Sequence, residues 1–239
     1  FDYLFSITHL AILPDEVIGL PRKGAINFHD GPLPRYAGLN APVWALLHQE
    51  SNYGITWHWM TAHIDQGDIL KQRCFEMAPG ETALSLNTRC FEAGIETFSE
   101  LVNELADGTV TSRKQDLGEH RYCGKYDRPA AACVLDWSRS AEELEALVRA
   151  LDFGRYDNPV GVAKVRIGNE GYVVTRVSVE GEPPAKNEPA GTVLGAGADG
   201  IRVATGDGTL LLTGLSDLCG REVSIADAVK RTEIRPGRR

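Results

Sequence analysis

Apolar and polar positions in the first half of the chain change period repeatedly, from strand-like runs to a helical spacing of three or four. Residues 3–7 (YLFSI) are a short apolar run of strand length. Pro14-Asp15-Glu16 opens a short helix, where proline fits the first turn and the two acids face the positive end of the helix dipole. Residues 24–29 (GAINFH) predict a second strand and 41–49 (APVWALLHQ) a helix. Residues 55–61 (ITWHWMT) alternate as a strand, and 69–76 predict another. The longest helical pattern covers 82–105, with Leu84, Leu86, Cys90, Phe91, Ile95, Phe98, Leu101, Val102 and Leu105 at spacings close to three or four. Strands alternating with helices predict an α/β sheet covered on both faces.

The pattern breaks over 106–134, a polar stretch entered by the Asp107-Gly108 turn. A helix follows at 141–151, with Ser140 as N-cap and Glu143 at the capping-box position. Beyond it come short strands at 162–167, 172–179, 192–194, 201–204 and 210–213, separated by glycine turns. Residues 200–214 predict a hairpin with Asp207-Gly208 in its turn. Many short strands with few helices suggest a small barrel. The proline-rich stretch 183–189 reads as a polar loop between strands. Two domains result, 1–117 and 118–239.

Composition narrows the class. With 43% hydrophobic and 24% charged residues the chain is globular in type, and no apolar run approaches the roughly 20 residues of a membrane span. Five cysteines, an odd and sparse set without CxxC spacing, make neither a disulfide framework nor a metal site, and the expectation is a cytoplasmic protein without metal. The net charge is −8. The first part carries −7 of it and the second −1, so neither is a basic nucleic-acid surface by composition. Phe1 opens directly into a buried-type strand with no basic leader, and Arg235-Pro236-Gly237-Arg238-Arg239 is a polar end. The expectation is an excised portion of a larger multidomain protein that lacks its natural beginning.

The chemistry concentrates in 26–34, INFHDGPLP. Asn27 and His29 are two apart at the end of a strand and so point to one face. The carboxyl end of a sheet strand is where open α/β sheets place their sites. Pro32 and Pro34 stiffen the exit. Downstream, Asp65 lies in a turn between two predicted strands and can approach His29 if those strands flank it. A nearby carboxylate favours imidazolium. An Asn amide with a cationic His can stabilise an oxyanion, and the Asp can accept a proton from an attacking amine. No Ser or Cys is placed as a nucleophile, so direct transfer is the natural reading. Spacing alone also fits a polar turn without function. His58 reads as an ordinary strand side chain, and Trp57 and Trp59 as packing.

GAINFHDGPLPRYAGLNAPVWALL followed by YGITWHWMTAHIDQGDIL resembles the folate-dependent formyltransferase family. The carriers are Asn27, His29, Leu33-Pro34, Arg35-Tyr36-Ala37-Gly38 and Asp65-Gln66-Gly67, all in order. The stretches LDWSRSAEELEALVRALDF and LCGREVSIADAV resemble the carboxyl-terminal domain of its methionyl-tRNA branch. The resemblance implies a partial Rossmann-like formyltransferase sheet, its amino-terminal part missing, followed by a small OB-like β-barrel domain. It implies Asn27, His29 and Asp65 as the catalytic trio and 10-formyltetrahydrofolate as co-substrate. The pterin would lie against Leu10, Ile12, Leu13, His63 and Ile64, and Arg35 and Asn40 would touch the acceptor. One departure is His29-Asp30-Gly31-Pro32, where the family commonly reads His-x-Ser-Leu. This variant is similar to formyltransferase-like domains of nonribosomal peptide synthetases and related natural-product enzymes. Together with the charge balance it points to a small-molecule or carrier-bound aminoacyl amine as acceptor, with methionyl-tRNA as the alternative. A 10-formyltetrahydrofolate hydrolase or a catalytically idle folate-binding domain would keep the same fold.

Overall fold

Alternation and aromatic content make the strands of the first unit, and the helix that packs on them follows from the same residues. The computed structural model describes residues 1–181 and 188–232. The predicted end 235–239 and most of the proline-rich stretch 183–189 lie outside the described residues. The chain divides into two compact units, Phe1–Asp127 and Arg128–Arg239.

In the first unit the elements run β1 (Tyr3–Ser6), α1 (Asp15–Ile18), β2 (Gly24–His29), β3 (Ala37–Gly38), α2 (Ala41–Leu47), β4 (Asn52–Trp59), β5 (Ile69–Glu76), α3 (Ala83–Asp107) and β6 (Tyr122–Cys123). The main sheet has the order β1-β2-β4-β5. β1 and β2 are parallel, while β2–β4 and β4–β5 are antiparallel. The register sets Asn27 opposite His58 and His29 opposite Thr56. Period-two alternation then sorts the side chains by face. Asn27, His29, Thr56 and His58 share one face. Phe28 and Trp57 share the other, where α3 packs.

That helical face is an aromatic cluster. Phe98 of α3 lies 5.2 Å from the Phe5 ring and 5.4 Å from Trp57, and Trp57 is 5.1 Å from Phe28. Trp57 Nε1 donates to Thr97 Oγ1 at 2.9 Å, so its one polar atom is satisfied inside the core. Gly94 admits the Phe28 ring, which a Cβ would meet at 2.6 Å. Thr82 and Ser85 form a capping box at the start of α3, and Gly108 ends it in the left-handed conformation. Of the predicted apolar stripe, Leu86, Cys90, Leu101 and Leu105 are buried, whereas Phe91, Ile95 and Val102 are exposed. The stripe is wider than the face that the sheet covers.

Residues 118–127, which the sequence pattern assigns to the second part, bond within the first unit. β6 pairs in parallel with β3, Ala37 N–H donates to the Arg121 carbonyl and Leu39 N–H to the Cys123 carbonyl.

The second unit contains α4 (Ala141–Ala150), β7 (Lys164–Ile167), β8 (Glu170–Glu180), β9 (Val193–Gly197), β10 (Gly200–Ala204), β11 (Thr209–Ser216), β12 (Glu222–Val223) and α5 (Ile225–Thr232). Ser140 and Glu143 form the predicted capping box. The strands pair antiparallel in the order β7-β8-β11-β10-β9, with β12 on β11. This is a half-barrel sheet, and among the described residues no ladder joins β9 to β7. The β10–β11 hairpin turns at Asp207-Gly208 as predicted, where Thr205 N–H bonds the Gly208 carbonyl. Asp207 also accepts from Ala141 N–H at 3.0 Å, placing a carboxylate at the positive end of α4. α4 buries Leu144 and Leu147, and β11 buries Leu210, Leu212 and Leu215.

Candidate active site

Parallel pairing of β1 and β2 brings their carboxyl ends together, and a cavity of about 380 Å³ opens there. The volume falls in the usual small-molecule range. Asn27 and His29 project into it from β2, and His58 from the neighbouring β4.

Asp65 reaches the cavity from the turn after β4, and three separate restraints place it. Its own backbone is left-handed, with φ 55°. Gly67 sits so close to the Trp59 carbonyl that a Cβ would lie 1.8 Å from its oxygen. That contact is a physical reason for glycine two residues after the acid. From the segment that follows α3, Gln115 Nε2 donates to the carbonyls of Asp65 at 2.8 Å and Gly67 at 2.7 Å. The carboxylate is then held in turn: Gly38 N–H donates to Oδ2 at 2.8 Å, and His58 Nε2 lies 3.3 Å from Oδ1. Gly38 has φ 93°, and a Cβ there would strike the Cys123 carbonyl oxygen at 2.1 Å. Substituting Gly67→Ala should therefore shift the turn that carries Asp65. A displacement of about 1 Å costs roughly 100-fold in turnover, and steady-state kinetics beside a melting curve would measure it. Wild-type turnover in that variant would show that the turn has slack.

His29 is 5% exposed and Asp65 8%, with Nδ1 and Oδ2 separated by 3.7 Å. His29 Nε2–H donates to the Tyr36 carbonyl. Gly31 makes room for this contact, since a Cβ would lie 2.7 Å from that carbonyl oxygen and 2.8 Å from Nε2. Thr56 anchors the same loop by donating to the Gly31 carbonyl at 2.8 Å and accepting from Leu33 N–H at 3.1 Å. Burial alone would raise the Asp65 carboxyl. The charge of His29, the proximity of His58 and the Gly38 N–H outweigh it and bring the pKa down to about 2. Asp30 behaves oppositely: burial raises its carboxyl, with the His29 charge only partly offsetting it.

Two family models match the chain. "Formyl transferase" covers residues 2–102, and "Formyl transferase, C-terminal domain" covers 129–233. A methionyl-tRNA formyltransferase from Geobacter metallireducens is 31% identical over 236 residues, covering 99% of this chain and 72% of the relative. The chain belongs to the formyltransferase family. Among solved structures, HypX from Aquifex aeolicus in complex with tetrahydrofolic acid matches with a TM-score of 0.69 at 20% identity, covering 97% of this chain and 39% of that one. An N-formyltransferase from Helicobacter canadensis, in complex with folinic acid and dTDP-3-aminofucose, gives 0.70 at 19%, covering 87% and 72%. At these identities the likeness carries the fold.

In this formyltransferase the structure gathers most of the sequence candidates around one cavity. Asn27, His29 and Asp65 line it. Leu10, Ile12, Leu13, His63 and Ile64 line it too, with Leu10 81% and Ile12 77% exposed. Arg35 and Asn40 are not among the lining residues. Arg35 pairs with Glu50, and Asn40 occupies the N-cap of α2 with φ 56°. Three residues were given no site role in the sequence reading. His58 lies within reach of both Asn27 and Asp65, and Gly38 and Gln115 hold the Asp65 turn. For His58 a signal existed: it has the opposite parity to Trp57 and Trp59, so packing aromatics on one face implies His58 on the other. Trp57 is buried packing, as expected. Among the described residues no three His, Cys, Asp or Glu are grouped to hold a metal, and no helix is long and apolar enough to cross a membrane.

Proposed function

We propose that this formyltransferase moves a formyl group from 10-formyltetrahydrofolate to the amino group of a small-molecule or carrier-bound aminoacyl acceptor. The observation that carries the reading is that Asn27, His29 and Asp65 line one cavity together with apolar Leu10, Ile12, Leu13 and Ile64. A flat heteroaromatic ring fits such a lining, since Leu10, Ile12, Leu13 and Ile64 offer apolar surface beside those polar groups. The tetrahydrofolic acid in the Aquifex aeolicus structure and the folinic acid in the Helicobacter canadensis structure support a folate donor.

The folate supplies an activated formyl carbon. Asn27 offers an amide N–H to the formyl oxygen as an amine adds to that carbon and the oxygen gains charge. A protonated His29 contributes positive charge from the cavity wall. Asp65 takes the proton from the attacking nitrogen, and the bond from carbon to the folate nitrogen breaks as that nitrogen is protonated. The balanced products are a formamide and tetrahydrofolate.

The acceptor class is inferred from charge. Net −7 and −1 in the two parts favour a small or carrier-bound amine over a polyanion. The 31% identity to a methionyl-tRNA formyltransferase favours the second reading, an aminoacyl-tRNA acceptor. The test is tetrahydrofolate release from 10-formyltetrahydrofolate by the full-length protein. It is run alone, with a panel of free and carrier-bound amines, and with initiator methionyl-tRNA. Release that depends on the amine panel is expected. Release only with the tRNA establishes the second reading, and release without any acceptor makes the protein a hydrolase.

A further inference from the structure

An Asn amide has two ends of nearly equal shape, and only its hydrogen bonds decide which one faces a ligand. For Asn27 the decision traces to a backbone carbonyl two contacts away. His58 is 2% exposed and its two ring nitrogens have different neighbours. Nδ1 lies 2.8 Å from the Trp59 carbonyl oxygen, which can only accept, so Nδ1 carries the hydrogen. In the neutral ring Nε2 is then a lone pair. It lies 3.2 Å from Asn27 Nδ2 and 3.3 Å from Asp65 Oδ1. Of those two neighbours only the amide nitrogen can satisfy it.

We propose that His58 is a positioning residue whose Nε2 lone pair holds the Asn27 amide with one N–H bonded to the ring and the other free for the oxygen of the transferred group. The proposal rests on the formyl-transfer reading and gives that reading's oxyanion donor its orientation. A flipped amide would turn Oδ1 toward the His58 lone pair, and the oxygen being charged would meet no Asn27 N–H.

Two substitutions separate positioning from bulk. Gln at 58 can accept from Asn27 through its oxygen and donate to Asp65 through its nitrogen, whereas Leu fills space and does neither. The probe reaction is full-length protein with 10-formyltetrahydrofolate and hydroxylamine as surrogate amine. His58→Leu is expected to lower kcat by about 10- to 100-fold, in the range of a lost oxyanion donor, with the KM for the folate changed by less than about threefold. His58→Gln is expected to recover kcat to within about threefold of wild type. Equal damage in both variants, a loss confined to KM, or full turnover in the Leu variant overturns the proposal. NMR of the ligand-free protein with isotope-labelled histidine reads the wild-type ring directly. A neutral ring protonated at Nδ1 is expected, and one protonated at Nε2 overturns the proposal. Wild-type protein that transfers nothing to hydroxylamine counts against the formyl-transfer reading with that amine, while the ring tautomer still decides the role of His58. A Leu variant that fails to fold leaves the Gln kinetics and the tautomer as the deciding results.

Discussion

His29→Ala lowers acceptor-dependent tetrahydrofolate release by about 100- to 1000-fold in kcat. This is the scale for losing one preorganised stabiliser of a developing oxyanion. The side chain has no substitute among its neighbours. It is buried, its Nδ1 faces the Asp65 carboxylate at 3.7 Å, and its Nε2–H is taken by the Tyr36 carbonyl. Removing it takes away the largest influence that keeps the Asp65 carboxyl ionised against its burial. Asp65 in the variant should therefore protonate more readily, and the acid limb of the kcat profile should move to higher pH. The folate KM should change little, because the apolar lining at Leu10, Ile12, Leu13 and Ile64 is untouched. Turnover within tenfold of wild type would remove His29 from the chemistry.

Asp65→Asn is the second large effect, and the backbone makes it a clean substitution. Asn tolerates the left-handed conformation that residue 65 adopts, φ 55°, better than other residues besides glycine. The turn and its Gln115 bonds can therefore persist while the proton acceptor is lost. Turnover should fall by about 100- to 10,000-fold, the span of a lost general base. Stability should respond with a definite sign. The native carboxyl titrates near 2 rather than at 3.8, so its stabilising contribution is present above pH 4 and is lost as pH falls toward 2. The shift corresponds to something on the order of 2 kcal/mol. Urea unfolding of wild type and variant should differ by about that amount at neutral pH and converge near pH 2. A constant gap across that range would contradict the ion-pair account of Asp65.

Local patterning made much of this molecule legible. β2 and β5 take the bounds predicted for them, Gly24–His29 and Ile69–Glu76, and the Ser140–Glu143 cap forms as its spacing requires. The shared face of Asn27 and His29 and the approach of Asp65 to His29 were readable because strand parity and a turn each act within a few residues. What escaped depends on pairing between distant segments. His58 looks ordinary on its own strand, and only the β2–β4 register sets it opposite Asn27. Arg35 looked available because Glu50, its partner 15 residues on, is brought back by α2. Gly38 and Gln115 carry no catalytic chemistry in their side chains, so the sequence assigns neither a role, although Gly38 closes the Arg35-Tyr36-Ala37-Gly38 motif. Their contribution is an N–H and two amide bonds delivered at the right place. The expected helical cover on both faces of the sheet is likewise a matter of tertiary arrangement: α3 takes one face, and the other carries the polar site residues.

Gln115 and the β6 pairing also impose an order on how the active centre comes into being during synthesis. Asp65 leaves the ribosome 50 residues before Gln115, the side chain that clamps its turn, and the β6 segment that pairs with the Gly38 loop follows at Tyr122–Cys123. A nascent chain stopped at the end of α3 already contains every described strand of the main sheet and the helix that packs on it, yet its Asp65 turn lacks the Gln115 bonds and its Gly38 loop lacks the β6 pairing. Translation must pass residue 123 before every restraint on the acid can act together.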